Sequence, residues 1–185
     1  MASEVRTTMI EGAAVLLAKH GLQGTSFSEV LEYTGAPRGS VYHHFPGGKD
    51  QLVGEAVELT GSNVYAALNA KAGSPATEIA DYFLSLWRSV LTRSNFEAGC
   101  AVLAVTVAAE PGEVADRAAG VFRRWRAHLA SLLHQGGLTQ GDAARMSALL
   151  IASSEGAVVL SRAERSLEPF DLVAEQLREQ VAALA

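Results

Sequence analysis

The sequence has a single cysteine, Cys100, and therefore cannot form a disulfide bond within the chain. It also lacks a long apolar run. The longest weakly charged stretch, residues 146–160, contains Glu155 and is shorter than the roughly 20 residues that a membrane-spanning helix needs. No basic segment followed by an apolar run opens the chain, so we expect no leader peptide. These absences favour a protein of the reducing cytoplasm without a membrane span.

A surplus of positive charge is missing as well. Over 185 residues the formal net charge is −5, the wrong sign for a protein that coats nucleic acid along its whole length. A hydrophobic fraction of 49% and a charged fraction of 19% are typical of a folded globular chain. Any contact with DNA must therefore be local. The first 55 residues contain six acids and only four bases, Arg6, Lys19, Arg38 and Lys49.

Apolar residues recur at three- and four-residue steps along most of the chain, which predicts amphipathic helices and no convincing strand. The first helix should begin at Ser3, as N-cap, and end at His20. Glycine and proline clusters separate the later helices. We expect an all-α protein of about nine helices. An N-terminal three-helix domain, residues 1–48, would precede a larger helical domain, residues 49–185.

Two short helices joined by a glycine turn follow the first helix. Ser26 and Glu29 have capping-box spacing, so the second helix should span residues 27–34. Gly35 then forces a turn. The proline that opens residues 37–45 suits the first turn of a third helix. These proportions predict a helix-turn-helix, whose second helix enters the major groove of DNA.

The third helix would bring basic residues to DNA. No acid occurs between Tyr33 and Lys49, so the local field is positive although the domain's total charge is not. Arg38 can pair with guanine or hold a phosphate, and the sequence favours neither. Adjacent histidines do not share a helix face, so we expect no metal site at His43 and His44.

Other residues of this helix have different expected tasks. Val41 and Phe45 lie four positions apart and should pack the helix onto its domain. Gly39 and Ser40 are small enough to let the helix backbone come close to the bases. Tyr42 would present its hydroxyl to the DNA backbone.

Residues 21–52 read GLQGTSFSEVLEYTGAPRGSVYHHFPGGKDQL. This run resembles the N-terminal domain of the TetR family of repressors. Its Tyr-His-His-Phe run followed by Pro-Gly-Gly-Lys is most similar to the LmrA and YxaF branch. Residues 96–110, which read FEAGCAVLAVTVAAE, loosely resemble the C-terminal domain of that branch.

The resemblance implies a homodimeric repressor that binds double-stranded operator DNA and is released when the larger domain binds a small-molecule effector. The last two helices would form most of the dimer interface. Many members of the family carry a polar or basic residue where this chain has Phe27, so this position departs from the pattern. The DNA contacts implied by matching positions are Ser26, Phe27, Ser28, Pro37, Arg38, Gly39, Ser40, Tyr42, His43, His44 and Lys49.

In the larger domain, residues 142–162 form a predicted helix that is apolar on every side and should be buried all round. One subunit alone would not cover it, so a dimer interface should supply the second partner. The residues expected near the two-fold axis are Ser153, Gly156 and Ala157, beside Phe170, Leu177 and Val181 of the last helix.

Apolar side chains of the larger domain could line an effector pocket, or could be ordinary core. Glu155, alone in its apolar helix, could anchor a cationic or hydroxylated ligand, or pair with an arginine such as Arg126. We expect a largely apolar effector and no cofactor or metal. The residues predicted to bind the effector are Phe83, Trp87, Cys100, Leu103, Phe122, Trp125 and Glu155.

Two other classes of protein are compatible with parts of the sequence. An enzyme would need Cys100 as nucleophile and His128 or His134 as base. Nothing in the sequence brings these residues together, and the apolar run around Cys100 disfavours a thiolate, so we expect no catalysis. A helical ligand-binding protein that no longer binds DNA is the alternative, favoured by the acidic N-terminal charge balance. Activation in place of repression also stays open.

Overall fold

The computed structural model describes residues 2–185, with side chains from residue 4 onward. That range contains nine α-helices, one 3-10 turn and no strand, which confirms the all-α prediction. The predicted capping role of Ser3 concerns a side chain outside the described ones. The helices are α1 (Ala2–His20), α2 (Phe27–Thr34), α3 (Val41–His44), α4 (Gly48–Asn69), α5 (Ala76–Arg93), α6 (Ala101–Ala108), α7 (Glu113–Gln135), α8 (Gln140–Glu164) and α9 (Glu168–Leu184), with the 3-10 turn at Arg38–Ser40.

The chain divides into two compact units, and the division falls within α4 and α7. The first unit is the described part of Met1–Ser62 together with Cys100–Phe122, and the second is Asn63–Gly99 together with Arg123–Ala185. This division follows packing alone. A functional boundary between residues 48 and 49 stays a prediction.

The first unit has its core where α1 packs against α2 and α6. Met9 and Leu17 of α1 are fully buried, as is Val30 of α2. Arg117 and Val121, near the middle of α7, lie against α4 in the same unit. A small helical core of this kind is enough to hold the short loops and turns that carry exposed polar residues.

The second unit is built on α8, which packs against α9 and α5. Phe83 of α5 and Phe170 of α9 are among its largest buried side chains. Two ion pairs join α5 to α9 at the surface: Arg88 with Asp171 at 2.9 Å, and Arg178 with Asp81 at 2.6 Å. Exposed pairs like these contribute little to stability, so buried apolar contact holds the unit together.

A single subunit covers only part of α8, as expected of a helix whose second partner is another subunit, and its burial all round stays a prediction. Val159 and Leu160 are each 52% exposed, and Leu149 and Gly156 are exposed on the same side. Among the described helices, α8 is the one whose length and composition would suffice for a membrane span. Half of its most apolar window is buried inside the protein, as expected of a core helix.

Candidate nucleic-acid interface

A capping box fixes the start of α2, as predicted. The Ser26 hydroxyl accepts a hydrogen bond from the backbone N–H of Glu29 at 3.2 Å, and Glu29 Oε2 accepts one from the backbone N–H of Ser26 at 2.7 Å. The hydrogen bonds from Ser26 lower the pKa of the Glu29 carboxyl. Gly35 ends the helix with a positive φ of 69°, and its N–H donates to the carbonyl of Leu31 at 2.9 Å. The turn between the two short helices is therefore set by local sequence.

The recognition segment, residues 37–45, is less regular than a single helix. Pro37 has an extended ψ of 133° and precedes the helical residues, so its predicted place inside the first turn is wrong. A 3-10 turn follows, in which the N–H of Ser40 donates to the Pro37 carbonyl at 3.0 Å. The Ser40 hydroxyl donates to the same carbonyl at 2.6 Å. The α-helical part therefore begins only after this 3-10 turn and spans Val41–His44.

Two apolar side chains anchor the recognition segment. Val41 and Phe45 are buried, as predicted, and the N–H of Phe45 donates to the Val41 carbonyl at 2.8 Å. Phe27, at the start of α2, is half-buried, with its ring centre 6.4 Å from that of Tyr42 and 6.5 Å from that of Phe45. Phe27 therefore supports the segment from α2, and its direct contact with DNA stays a prediction.

The outward side of the segment carries the residues predicted to meet DNA. Tyr42 is 79% exposed, and Arg38 and His43 are exposed beside it. No ion pair or hydrogen bond of the Arg38 guanidinium occurs within residues 2–185, so its charge is available to an outside partner. The histidine rings lie 5.1 Å apart, edge to face. Pro37, Gly39 and Ser28 are exposed too, whereas Ser40 and His44 are half-buried.

Lys49, one of the DNA contacts that the resemblance implies, lies at the start of α4 and already has a partner within the protein. Its ammonium donates to the carbonyl of Leu22 at 2.8 Å, which ties α4 to the turn after α1. An ammonium has three protons, so two remain for another acceptor. The DNA contact of Lys49 stays a prediction, and a phosphate would suit the two free protons.

A network that no sequence pattern indicates lies behind the segment. Arg6 Nη2 of α1 is 2.6 Å from Glu55 Oε1 and 2.5 Å from Glu55 Oε2. Its guanidinium carbon lies 5.3 Å from the centre of the Phe45 ring. Gln51 donates to Glu55 at 3.0 Å and accepts from the N–H of Gly47 at 2.9 Å. The ion pair joins residues 49 positions apart, so no local pattern could indicate it.

The residues predicted to bind an effector are divided between the two units. Cys100 is buried in the first unit, where its sulfur accepts a hydrogen bond from the N–H of Leu103 at 3.3 Å and caps α6. Glu155 is a buried carboxylate, 6% exposed, in the second unit. Arg126, the arginine named as an example of a partner for Glu155, is exposed and joins no ion pair among the described residues. The common pocket stays a prediction. The other members are Phe122, half-buried in the first unit, and Phe83, Trp87 and Trp125, buried in the second.

The two histidines weighed as catalytic bases have other surroundings. The His128 ring stacks on Tyr65, with ring centres 3.8 Å apart and planes 19° apart. Its Nε2 is buried and has no hydrogen-bond partner within residues 2–185, and burial lowers its pKa. His134 Nδ1 lies 2.9 Å from the carbonyl oxygen of Leu138. Neither contact activates a nucleophile.

Two family models match the chain. The one described as "Bacterial regulatory proteins, tetR family" matches residues 9–56, which include the capping box and the recognition segment. The one described as "Transcriptional regulator LmrA/YxaF-like, C-terminal domain" matches residues 75–176, more than half of the chain.

Similar proteins agree with these matches. An uncharacterized HTH-type transcriptional regulator of Mycobacterium tuberculosis is 39% identical over 94% of this chain and 92% of its own length. The HTH-type transcriptional regulator LmrA of Bacillus subtilis is 28% identical over 89% of this chain and 90% of its own length. A TetR transcriptional regulator from Chloroflexus aurantiacus has a similar crystal structure, with a TM-score of 0.81, 26% identity and coverage of 98% and 96%.

Proposed function

Since this chain belongs to the TetR family of bacterial transcriptional regulators, we propose that it is a cytoplasmic, homodimeric repressor that a small-molecule effector releases from its operator. TetR regulators bind operator DNA and act as dimers. The observation that carries the proposal is the recognition segment. Arg38, Tyr42 and His43 face outward from it without any acid between Tyr33 and Lys49, and Val41 and Phe45 hold it from behind.

Residues 1–48 would read DNA, and residues 49–185 would bind the effector and form the dimer. The contacts would be phosphate or base contacts from the exposed residues of the segment and from the start of α2. Because the N-terminal bases are few and Arg6 and Lys49 are engaged within the protein, we expect binding to rest on few phosphate contacts. The full set is Ser26, Phe27, Ser28, Pro37, Arg38, Gly39, Ser40, Tyr42, His43, His44 and Lys49.

The exposed apolar side of α8 supports a homodimer. Val159 and Leu160 lie beside Gly156, where an added Cβ would meet nothing within 4 Å, and Leu172 of α9 is 61% exposed. An apolar surface of this kind marks an interaction site. The interface predicted from sequence needs correction, because Ala157, Phe170, Leu177 and Val181 are buried within the subunit. Gly156 stays in it, and Ser153 is half-buried.

The dimer would have two forms, of which only one fits the operator. The effector would bind the other form more tightly and so lower the affinity for DNA. Phe83, Trp87 and Trp125 give the second unit a large aromatic content for an apolar ligand. Glu155 supplies a buried carboxylate that suits a cationic or hydroxylated group. The other pocket residues of the proposal are Cys100, Leu103 and Phe122. We expect no catalysis, since the Cys100 sulfur already caps α6.

The proposal is tested by titrating the protein with DNA from upstream of the gene that encodes it. The titration is done at about 50 mM and about 200 mM salt, because phosphate contacts weaken steeply over that range. If binding is specific, the protein forms a complex with this DNA, and a scrambled duplex of equal length displaces the DNA from this complex poorly. Equal binding to both duplexes would contradict operator recognition. Absence of any complex at low salt would favour a helical ligand-binding protein that has lost its DNA contact.

A further inference from the structure

We propose that Arg6 is a positioning residue for operator recognition, which joins Glu55 of α4 to the Phe45 ring and thereby holds the end of the recognition segment without contacting DNA. The inference rests on the proposed operator binding. It concerns a residue outside the predicted contact set, on a different helix from the segment it holds.

The geometry shows how the guanidinium is used. Arg6 Nη2 contacts both carboxylate oxygens of Glu55, at 2.6 Å and 2.5 Å. The same guanidinium lies 5.3 Å from the centre of the Phe45 ring, within the range of a cation–π contact. The carboxylate of Glu55 therefore neutralises the positive charge of the guanidinium, and the Phe45 ring lies beside the same group. Little of it remains to attract a phosphate.

The recognition segment needs support of this kind. Its α-helical part is only Val41–His44, whereas isolated helices shorter than roughly 12 residues are marginal in water. Phe45 is the last residue of the segment and is fully buried. Gln51 extends the support, since it binds Glu55 on one side and the N–H of Gly47, just after the segment, on the other.

The competing interpretation is that Arg6 holds a DNA phosphate. It lies near the start of the chain and its side chain is 38% exposed. The two roles give opposite results when Glu55 is changed. If Arg6 contacts phosphate, Glu55→Ala removes a negative charge, frees the guanidinium and strengthens operator binding. If Arg6 positions the segment, the same change weakens binding.

The test is a fluorescence-anisotropy titration of operator DNA with the full chain at several salt concentrations. For Arg6→Ala and Glu55→Ala, we expect a roughly three- to tenfold loss of affinity each, as for a partly exposed ion pair with a ring contact. The double variant should bind no more weakly than either single variant, because both disrupt one interaction. Glu11→Ala, which removes an exposed acid of α1, is the matched control and should not weaken binding.

Two further variants separate positioning from simple loss of the fold. Arg6→Lys keeps the charge but loses the planar group, so it should still weaken binding, and a phosphate contact would tolerate it. Glu55→Gln keeps the side-chain volume and an acceptor oxygen, so it should restore most of the affinity lost in Glu55→Ala. Thermal unfolding of each variant checks that the fold is intact.

The salt dependence decides the remaining question. Loss of a phosphate contact would reduce the slope of log affinity against log salt by about one, whereas a positioning residue leaves it unchanged. A reduced slope in Arg6→Ala, or stronger binding by Glu55→Ala, would overturn the inference. Arg38→Ala is titrated with the same operator DNA. If neither this variant nor the parent binds the operator specifically, the proposed function fails, and the inference fails with it. If the parent binds the operator, Arg38→Ala weakens this binding and the Arg6 variants do not, the inference fails while the proposed function stands.

Discussion

Gly61 of α4 lies so close to Val121 of α7 that a Cβ atom on Gly61 would be 2.9 Å from both methyl carbons of Val121. Seven residues earlier, a Cβ on Gly54 would be 2.9 Å from Cδ of Arg117. Two helical turns separate the glycines, so they share one face of α4. Within the first unit, these glycines let α4 and α7 approach more closely than residues with side chains would.

We expect Gly61→Ala to destabilise the protein. Overpacking a tight contact costs about 1–3 kcal/mol, and the roughly 1 kcal/mol that alanine gains over glycine inside a helix offsets only the lower end of this range. Gly141→Ala is the control, since its Cβ would meet only the Arg145 side chain at 3.5 Å or more. Urea unfolding measures both variants. If Gly61→Ala is as stable as the control, α7 moves away from the added methyl group without lowering the free energy of unfolding.

We expect Arg38→Ala to weaken operator binding by about 1–3 kcal/mol, the usual cost of losing a base or phosphate contact. Arg38 is exposed on the recognition segment, and its guanidinium forms no hydrogen bond or ion pair with the side chains and backbone that the structure describes. Titration against the operator and against variants with single base changes tells the two roles apart, because only a base contact relaxes specificity. Arg123→Ala, which removes an exposed charge from α7, should bind like the parent.

We expect Leu160→Asp to convert a dimer to monomers. A buried, unpaired carboxylate at each copy of the interface is strongly unfavourable, and Leu160 is 52% exposed on the apolar side of α8. Light scattering coupled to size exclusion measures the mass. Val107→Asp introduces the same charge at a 74% exposed residue of α6 and should leave the mass unchanged. A dimer in both variants would place the interface elsewhere.

We expect the stability of the chain to fall on acidification partly through His128. Burial lowers the pKa of its imidazole below the ordinary 6.5, so the unfolded state binds the proton more readily. Stability is therefore lost as pH falls below 6.5 and continues to fall until the folded-state pKa is reached. His128→Phe keeps a ring against Tyr65 and removes the titration. Urea unfolding at about pH 7.5 and about pH 5.5 should show a smaller difference for this variant than for the parent.

Local chemistry explains why parts of the fold were predictable. Ser26 and Glu29 cap α2, and Gly35 ends it, through contacts within four residues of sequence. The irregular start of the recognition segment was not predictable, because the N–H and the hydroxyl of Ser40 both bond to the Pro37 carbonyl in a 3-10 turn, which helix periodicity does not report. Local signals place helix ends, but they do not decide among close alternatives for a single turn.

Contacts between distant parts of the chain were not predictable. In the sequence, Arg6 and Glu55 are one base and one acid among the first 55 residues, whose net negative charge disfavours DNA binding. Only the fold brings the two side chains together. In α8, composition indicated an apolar helix, but it did not show which side faces the core. Ala157 turned out to be buried and Gly156 exposed, although the two are adjacent and both small. Direction around a helix axis depends on its neighbours, which periodicity cannot reveal when every side is apolar.

Within residues 37–45, the side chains that fasten the segment and those that face outward belong to different positions. Val41 and Phe45 are buried, whereas Arg38, Tyr42 and His43 are exposed. Exchanges at exposed positions usually alter folding stability very little. If these exposed residues contact the operator as proposed, single amino-acid replacements among them would change the preferred DNA sequence and still leave a folded protein for selection to act on.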